Sequence, residues 1–476
     1  MQAMPEALVQ PAHVMARRCP ACHRVSANSE RCLHCWRDIA AVSPLSDEEA
    51  SKAMLVEAGL ARRIDGGWLS FGRLWKVVSL GLLVLLVGWW VYATFIDKPP
   101  RPDLPSSAAR SSAQGAWTTQ DGDSRGSRAT DAASHIGGTE AWKASLGSPV
   151  AVPLVSDGRL VVAALEDGRL VGLDASSGKT AWTKSLNNPP LSAPVIAGDR
   201  VYLAQREGLI LVLGAADGAE IWHSRFVAGS FEASPLVVDG VVYAYSTDGL
   251  FAFDAEDGRI LWEQVFEAGW ATVTPVVEGK HLVIATADRA VVFDRTNGQR
   301  TYYVTFSRTQ PSSIAIRDGE VLAVYGRNAT LFASNSTRPW WDGFRTAWFR
   351  FHLIGMAPAV PPAPTLWDVT TLPKTTLAAA MGPNIAVVTS SDGAITALGR
   401  HDGKPAWTAK TSARLVAPPI ITADGVLFAE GNRLLLLDVV NGQQRSERKV
   451  DGLRSVAPTP DAAFIANGAG EVFAIR

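Results

Sequence analysis

The chain has 476 residues, of which 47% are hydrophobic and 19% are charged. A chain of this length and composition can bury a large core, which excludes general disorder and predicts several folded domains. Its formal net charge of −1 excludes a strong general attraction to nucleic acid. The more specific predictions therefore depend on local patterns along the chain.

All four cysteines lie within the first 35 residues, in the pattern C-x2-C-x9-C-x2-C. Each C-x-x-C pair can place two thiolates on one metal ion, and two such pairs complete the closed tetrahedron of a structural zinc site. Because a segment this short cannot bury enough surface to fold alone, zinc binding supplies its folding free energy. We expect a zinc domain over residues 1–40, with the ligands Cys19, Cys22, Cys32 and Cys35.

The cysteine segment resembles the short zinc-ribbon family found at the N-termini of bacterial membrane and regulatory proteins. Members usually carry Gly directly after each C-x-x-C pair, where this chain has His23 and Trp36. Two alternatives stay open: His23 or His34 replaces one thiolate, or a C-x-x-C pair is redox-active. Since a closed site has no open coordination position, we expect no catalysis at the metal.

Residues 41–76 lead from the cysteine segment to a long apolar run. Ser46 followed three residues later by Glu49 is a capping box, which predicts a short helix. Residues 77–96 then contain no charged side chain. A helix of that length is about 30 Å long, which matches the hydrocarbon layer of a bilayer. We therefore expect a single transmembrane helix at residues 77–96.

The residues on either side of this run predict its orientation. Four basic residues closely precede it and three closely follow it, a small bias for a cytoplasmic N-terminus. Thiols are also kept reduced more easily in the cytosol than outside it. The sequence therefore predicts a single-pass protein of the inner membrane, with a cytoplasmic N-terminus and an extracytoplasmic C-terminal domain.

Residues 97–138 are rich in Pro, Ser and Gly and contain few side chains that a core could bury. Such a composition is typical of flexible linkers. We expect this segment to hold the C-terminal domain away from the bilayer.

Residues 139–476 contain a repeat with a period near 40 residues. Copies end in an aromatic residue at positions 142, 182, 222, 262 and 302, and later copies end at Trp407 and Ser446. Asp-Gly and Asn-Gly pairs divide each copy into short apolar stretches, and these pairs favour two-residue hairpin turns. Four short antiparallel strands per repeat are typical of a propeller blade.

The number of copies predicts an all-β, eight-bladed β-propeller, if Trp341 is taken as the end of a degenerate fifth copy. The chain ends 30 residues after Ser446, which leaves the last blade one strand short. Trp142, by contrast, belongs to a single strand without a blade. We expect this strand to complete the last blade from outside and to close the ring, which removes the free sheet edge.

The motif A-x-D-x-x-x-G-x-x-x-W resembles the pyrroloquinoline quinone (PQQ) type propeller repeat across residues 139–476. Quinoprotein dehydrogenases and the outer-membrane-protein assembly lipoprotein share this repeat, and the resemblance implies that each Trp staples one blade to the next. In the dehydrogenases it also implies adjacent disulfide-linked cysteines, a Ca²⁺ site and a catalytic Asp. This propeller has no cysteine and its histidines are scattered, so we expect no enzymatic activity.

An insertion interrupts the repeat at about residues 342–370, because Trp341 and Trp407 are 66 residues apart instead of 40. We place it between the fifth and sixth blades. Trp and Arg dominate the energetics of protein interfaces, and loops on rigid scaffolds often carry binding sites. The alternative is that the inserted aromatic side chains cover the neighbouring blade. The predicted partner-binding residues are Phe344, Arg345, Trp348, Phe349, Arg350, Phe351 and Trp367.

These patterns favour a membrane-anchored protein-interaction scaffold. Its extracytoplasmic propeller would dock other envelope proteins, and its zinc ribbon would contact a cytoplasmic protein. One alternative is a transmembrane sensor with a ligand-binding propeller, although a single span with a flexible linker transmits rigid-body signals poorly. The other alternative is a PQQ-dependent dehydrogenase.

Overall fold

The computed structural model describes residues 15–57, 75–76, 78–89, 116–225, 229–266, 272–306, 309–336, 348, 351–352, 354–358, 365–370, 372, 376–413 and 415–476. The chain divides into two compact units, Met1–Pro100 and Arg101–Arg476.

The first unit contains a small hairpin and a helix. Strands β1 (Ala16–Arg18) and β2 (Val25–Ala27) pair antiparallel, and α1 (Asp47–Glu57) follows them. Ala50 of the helix is buried in one apolar cluster with a residue of each strand. The helix therefore packs on the hairpin.

The predicted capping box is confirmed at the start of α1. The Glu49 backbone N–H donates to Ser46 Oγ at 3.4 Å, and the Ser46 backbone N–H donates to Glu49 Oε2 at 3.3 Å. Ser46 Oγ also donates to the same carboxylate at 2.9 Å. These bonds satisfy backbone donors that the first helical turn leaves unpaired.

The apolar run of the first unit is helical at residues 75–76 and 78–89. Residues 77 and 90–96 lie outside the described part of the chain. Within the part that is described, no helix combines the length and the apolar character needed to cross a bilayer. The transmembrane helix expected at residues 77–96 is therefore not supported by the described residues and stays a prediction.

The second unit is an all-β propeller of eight four-stranded antiparallel sheets, as predicted. Its first strand, β3 (Glu140–Ser145), belongs to none of the seven blades that follow it directly in the chain. Those seven blades take their strands in chain order: blade 1, β4 (Val155–Ser156), β5 (Leu160–Ala164), β6 (Arg169–Asp174) and β7 (Thr180–Ser185); blade 2, β8 (Val195–Ala197), β9 (Arg200–Gln205), β10 (Leu209–Gly214) and β11 (Glu220–His223); blade 3, β12 (Leu236–Val238), β13 (Val241–Ser246), β14 (Gly249–Asp254) and β15 (Ile260–Val265); blade 4, β16 (Val276–Glu278), β17 (His281–Ala285), β18 (Arg289–Asp294) and β19 (Gln299–Thr305); blade 5, β20 (Pro311–Arg317), β21 (Glu320–Tyr325), β22 (Asn328–Ala333) and β23 (Trp367–Val369); blade 6, β24 (Thr376–Met381), β25 (Ile385–Ser390), β26 (Ala394–Gly399) and β27 (Pro405–Lys410); blade 7, β28 (Leu415–Thr422), β29 (Gly425–Glu430), β30 (Arg433–Leu437) and β31 (Gln444–Lys449).

The last blade is closed by the strand from the start of the propeller. Blade 8 contains β32 (Leu453–Pro458), β33 (Ala463–Asn467) and β34 (Glu471–Ile475), and β3 pairs with β34 as its outer strand. In this register Trp142 lies opposite Ala474. The predicted closure is thus confirmed, and it joins the two ends of the propeller through one sheet.

The hydrophobic core lies between neighbouring blades. Strands two and three of each blade are almost fully buried, whereas the fourth strand buries only alternate positions, as in β7. The first strand is therefore the inner one and the fourth lies at the periphery. The predicted Asp-Gly turns are present, with Gly158 and Gly168 at φ of 87° and 84°, a conformation that Gly adopts without steric cost.

The insertion lies inside blade 5, between β22 and β23, and not between blades 5 and 6 as we expected. The outer strand of this blade begins at Trp367. Trp341, which the sequence suggested as the end of this blade, lies outside the described residues. The reason for the error is that the insertion displaces the outer strand along the chain and carries its Trp with it.

Residues 116–138, which we expected to belong to a flexible linker, are folded against the propeller. Trp117 in this segment is fully buried and pairs with Ser156 of blade 1. Further along, Ala129 forms a parallel bridge with Ile421 of blade 7. Residues 97–115, the rest of the expected linker, lie outside the described part of the chain.

Candidate functional site

The four cysteines of the first unit form one cluster. Their Sγ atoms all lie within 4.8 Å of one another, and the closest pairs are Cys19–Cys35 at 3.5 Å and Cys22–Cys32 at 3.4 Å. All four are free thiols. A tetrahedral ion with metal–sulfur bonds of about 2.3 Å requires sulfur separations of roughly 3.8 Å. The thiols therefore fit a four-coordinate metal ion, as the spacing predicted.

Histidine takes no part in this cluster. Among the described residues, the group of potential ligands contains only the four cysteines. His34 instead places its Nδ1 atom 3.1 Å from Arg24 Nη1. The alternative in which His23 or His34 replaces a thiolate is therefore not supported.

Each C-x-x-C pair lies in a tight turn with a left-handed residue at its end. The His23 N–H donates to Cys19 O, and the Trp36 N–H donates to Cys32 O, both at 2.9 Å. His23 and Trp36 have φ of 60° and 59°. This backbone conformation costs a residue with a side chain about 1 kcal/mol. Both C-x-x-C turns thus form without the glycines that the resemblance implied.

Backbone amides near the sulfurs influence their ionisation unequally. The N–H of His34 holds the pKa of Cys32 down to about 6, against the effect of burial. The N–H of Arg24 lowers the pKa of Cys22, but burial and the neighbouring sulfurs outweigh it and raise that pKa to about 12. A bound cation favours the thiolate form of all its ligands. The arrangement of the four thiols therefore suits a metal ion.

Tryptophans link neighbouring blades of the propeller, as the resemblance implied. The indole N–H of Trp142 donates to Ala175 O of the next blade at 2.9 Å. A glycine of that blade lies under the ring, because a Cβ on Gly178 would be 2.4 Å from Trp142 Cε3. The same indole-to-carbonyl bond recurs in the pairs Trp182–Ala215, Trp222–Ala255, Trp262–Arg295, Trp367–Arg400 and Trp407–Val439.

Trp367, one of the predicted partner-binding residues, is therefore a structural link between blades 5 and 6. Its side chain is 8% exposed and its Nε1 atom lies 2.6 Å from Arg400 O. Of the other residues predicted to bind a partner, Trp348 and Phe351 are partly exposed on the insertion. Phe344, Arg345, Phe349 and Arg350 lie outside the described residues.

Residues 116–138, which we call the channel segment, run around the inner strands of the propeller. Their carbonyl oxygens accept backbone N–H groups from one blade after another. The donor–acceptor pairs are Ser156 to Trp117, Ile196 to Thr118, Val277 to Ser124, Ile316 to Arg125, Met381 to Ser127 and Ile421 to Arg128, at 2.7–3.1 Å. The segment thus binds blades 1, 2, 4, 5, 6 and 7 in that order.

The channel segment continues to the last blade through side chains. Asp424 of blade 7 accepts hydrogen bonds from the Ser134 N–H at 2.8 Å and from Ser134 Oγ at 2.7 Å. His135 then places its Nε2 atom 3.1 Å from Thr459 O of blade 8. A segment of the chain itself therefore occupies the inner-strand ends at this side of the ring.

Glycine and serine in the channel segment serve close packing. A Cβ on Gly126 would lie 2.5 Å from Val276 Cγ1, and one on Gly122 would lie 2.9 Å from Trp117 Cζ3. Ser127 Oγ donates to Asp123 Oδ1 at 3.1 Å, which holds the turn between them. The small residues that suggested a flexible linker are therefore needed for close packing, because larger side chains would not fit beside the inner strands.

Eight blades closed by an N-terminal strand, with tryptophan links from six of the outer strands to the next blade, define a PQQ-like β-propeller protein. The family model described as "Outer membrane protein assembly factor BamB" matches residues 128–193, 189–342 and 362–476, and the chain belongs to this family. The matched range begins within the channel segment, and the unmatched residues 343–361 fall in the insertion. No curated protein matches the chain.

Solved structures show the same fold at low sequence identity. BamB from Moraxella catarrhalis is 15% identical with a TM-score of 0.57, and the match covers 71% of this chain and 98% of that one. The quinohemoprotein alcohol dehydrogenase from Comamonas testosteroni is 12% identical with a TM-score of 0.58, over 76% of this chain and 81% of that one. A computationally designed protein, Ika8, is 13% identical with a TM-score of 0.57, over 71% and 99%. At these identities the structures support the fold alone.

Proposed function

We propose that the protein is a membrane-anchored interaction scaffold whose extracytoplasmic propeller docks other envelope proteins. Membership in the assembly-factor family supports a propeller that works by binding proteins. The apolar run at residues 77–96 supplies the anchor, with the N-terminus in the cytoplasm. In this arrangement the ring is a rigid support, and its outer surface is available for partners.

The channel segment carries this proposal. Six inner strands donate backbone N–H groups to the carbonyl oxygens of this segment. A small molecule at that end of the ring would have to displace these hydrogen bonds. Trp117 is buried there at the same time. The residues at this end therefore do not fit a quinone cofactor, and the propeller also lacks the cysteines that the dehydrogenase branch implies. Occupation of the ring by the chain itself favours a scaffold over an enzyme or a ligand sensor.

Zinc is the metal that we propose for the thiol cluster. Four thiolates in a closed tetrahedral arrangement are typical of structural zinc. Beside the cluster, Leu33 and Trp36 are 62% and 75% exposed. A large exposed apolar pair on a small metal domain is suited to contact with a protein. We assign these side chains to the cytoplasmic partner of the ribbon.

Site-specific photo-crosslinking in native membranes tests the scaffold. A photoreactive residue at Val265 or Val440, which are exposed on blades 3 and 7, reports on the outer surface. We expect at least one of these positions to capture a defined envelope protein, and a position in the buried strand β25 to capture none. Absence of a protein adduct at every outer position, together with dye reduction by the purified chain supplied with PQQ and Ca²⁺, would overturn the scaffold in favour of the enzyme.

Metal analysis tests the ribbon separately. The purified full chain should contain one zinc ion per chain, and Cys19→Ser/Cys32→Ser should abolish binding while the propeller keeps its cooperative melting. Iron in place of zinc, or an intramolecular disulfide in the freshly purified chain, would contradict the assignment.

A further inference from the structure

Arg317 is the last residue of β20 and lies at the end of the ring that the channel segment occupies. The N–H of the preceding residue, Ile316, donates to Arg125 O of that segment at 2.9 Å. The Arg317 carbonyl oxygen accepts a hydrogen bond from Arg400 Nη2 at 3.0 Å. Three arginines, from blade 5, the channel segment and blade 6, therefore come together here.

Each nitrogen of the Arg400 guanidinium donates a hydrogen bond within the protein. Its Nε atom donates to Glu320 at 2.8 Å, and its Nη1 atom donates to Asp318 at 2.7 Å and to Pro383 O at 3.0 Å. Only 4% of the Arg400 side chain is exposed. Arg400 therefore links two blades, and carboxylates balance its charge.

The guanidinium of Arg317 differs from that of Arg400, because nothing in the described part of the chain accepts its hydrogen bonds. Its Nε atom is buried and has no acceptor within hydrogen-bonding distance. Its Nη atoms form no hydrogen bond or ion pair with a described residue either, and they are not buried. A half-buried charge of this kind is unfavourable, since its lost hydration is not replaced.

Arg125 presents further N–H groups beside Arg317. Its Nε atom donates to Asp123 Oδ2 at 2.7 Å, while its Nη atoms have no partner among the described residues. The pKa of Arg317 is lowered mainly by burial and further by the positive charges of Arg125 and Arg400, and the carboxylates of Asp123 and Asp318 offset this only in part. A negative group beside Arg317 would therefore be favoured.

Four carboxylates surround the arginines and restrict the charge of any ligand. They are Asp123, Glu278, Asp318 and Glu320. Each is already bonded to another donor, namely Arg125, the Gly319 N–H at 2.7 Å and, for the last two, Arg400. Three arginines and four carboxylates leave a net charge of −1, so a dianion such as phosphate is repelled. A carboxylate brings one negative charge and matches the two parallel N–H groups of a guanidinium.

We propose that Arg317 and Arg125 bind a single carboxylate group of a docked protein. The Nη groups of Arg317 donate to its two oxygens, and the Nη groups of Arg125 stabilise the same charge. The source of the carboxylate rests on the proposed function, because a scaffold that docks proteins brings acidic side chains to its surface. The binding chemistry itself depends only on the two arginines.

Arg317→Met tests whether Arg317 serves the fold or a ligand. Removal of an unpaired, half-buried charge should leave the melting temperature of the propeller equal or higher. The matched control is Arg400→Met, which should lower it by about 5 °C or more because two carboxylates lose their partner. A loss for Arg317→Met as large as that for Arg400→Met would show that Arg317 is a structural link and would overturn the inference.

Acetate is the probe for the bound carboxylate. Melts of the purified full chain in sodium acetate, chloride or phosphate at equal pH and ionic strength give the comparison. We expect acetate to raise the melting temperature by about 1–2 °C more for the unmodified chain than for Arg317→Met. Arg159→Met, which changes an exposed arginine of blade 1, should keep the full effect of acetate. An equal effect of acetate on all variants, or a larger difference in phosphate, would overturn the carboxylate site.

A photoreactive residue at Lys280 tests whether a protein supplies the carboxylate. Lys280 is exposed on the turn of blade 4 that follows Glu278. In native membranes we expect an adduct that falls about tenfold in Arg317→Met. The acetate effect without this adduct supports carboxylate binding and overturns a protein as its source. Protein adducts at Val265 or Val440 without an acetate effect overturn the site and retain the scaffold.

Discussion

Trp367 and Arg400 are joined by a hydrogen bond at the boundary between blades 5 and 6. The Trp367 indole donates to Arg400 O at 2.6 Å, while the Arg400 guanidinium is buried and donates to Asp318 at 2.7 Å and to Glu320 at 2.8 Å, both next to the turn that joins β20 and β21. Arg400 thus accepts one hydrogen bond from the outer strand of blade 5 and donates three to the inner region of that blade, the third from its Nη2 atom to Arg317 O at 3.0 Å. The insertion is therefore bounded by one of the most strongly connected positions of the ring.

Replacement of Trp367 should destabilise the propeller severely. Loss of a buried indole costs about 3–5 kcal/mol, and Trp367→Ala also leaves Arg400 O without its donor. The matched control is Trp348→Ala, because Trp348 is a partly exposed Trp of the same insertion. Denaturant unfolding should show a loss of less than about 1 kcal/mol for the control. Equal losses for both variants would show that Trp367 is not a blade link.

The repeat predicted the ring and its closure because both depend on local signals. Glycines at hairpin turns, alternating burial and a Trp in six of the eight outer strands recur without reference to distant residues. The unpaired strand at Trp142 could pair only with the blade that was one strand short. The error at blade 5 arose from counting forward from Tyr302, which leads to Trp341. Counting back 40 residues from Trp407 leads to Trp367, so the signal was in the sequence. An insertion changes the spacing only for a count that crosses it, and the count back from Trp407 does not cross it.

The channel segment could not be recognised from composition. Gly126 and Ser127 are typical of linkers and of tightly packed backbone alike, and only the neighbouring inner strands decide between the two. Its hydrogen bonds to the inner strands of blades 1, 2 and 4–7 are mainly backbone bonds, which carry no sequence pattern. By contrast, the clustering of the four thiols was predicted residue by residue, because C-x-x-C spacing is a local geometric requirement. Nonlocal backbone contacts are thus the part of this structure that local sequence patterns do not predict.

Hydrogen exchange should reveal the channel segment as part of the folded ring. The amides of Ile196, Val277, Ile316 and Met381 donate to it and should exchange at rates close to those of global unfolding. In a chain that lacks residues 116–138 these amides should exchange much faster, whereas amides between β25 and β26 should stay protected. Unchanged protection of the inner strands after the deletion would show that the segment is dispensable.

The bond between Asp424 and the channel segment should depend on pH. Burial raises the pKa of Asp424, but hydrogen bonds from Ser134 and Thr422 outweigh this effect and lower it below its usual value. A carboxylate whose pKa is lower in the folded state contributes stability above its unfolded pKa of about 4, and this contribution is lost as the pH falls through the folded value.

Asp424→Asn should therefore be less stable than the unmodified chain at neutral pH, and the difference should shrink as the pH falls below about 4. The control is Asp461→Asn, which changes an exposed Asp on the corresponding turn of blade 8. It should melt like the unmodified chain at each pH. Thermal melts between pH 3 and pH 7 provide the measurement, and a constant difference for Asp424→Asn over this range would rule out the carboxylate as the cause.

Glycine at either end-of-turn position of the ribbon should strengthen metal binding. His23 and Trp36 adopt the left-handed backbone that Gly adopts freely. We expect folding of the cysteine segment to be coupled to binding of the proposed zinc ion. Relief of about 1 kcal/mol per position should then appear as an increase of about fivefold in zinc affinity for His23→Gly or Trp36→Gly. Competition with a chelator measures the change. His34→Gly is the control, since His34 is not in the left-handed region, and added backbone freedom there should weaken binding slightly. If all three variants weaken binding equally, the strain at the turns contributes nothing to the affinity.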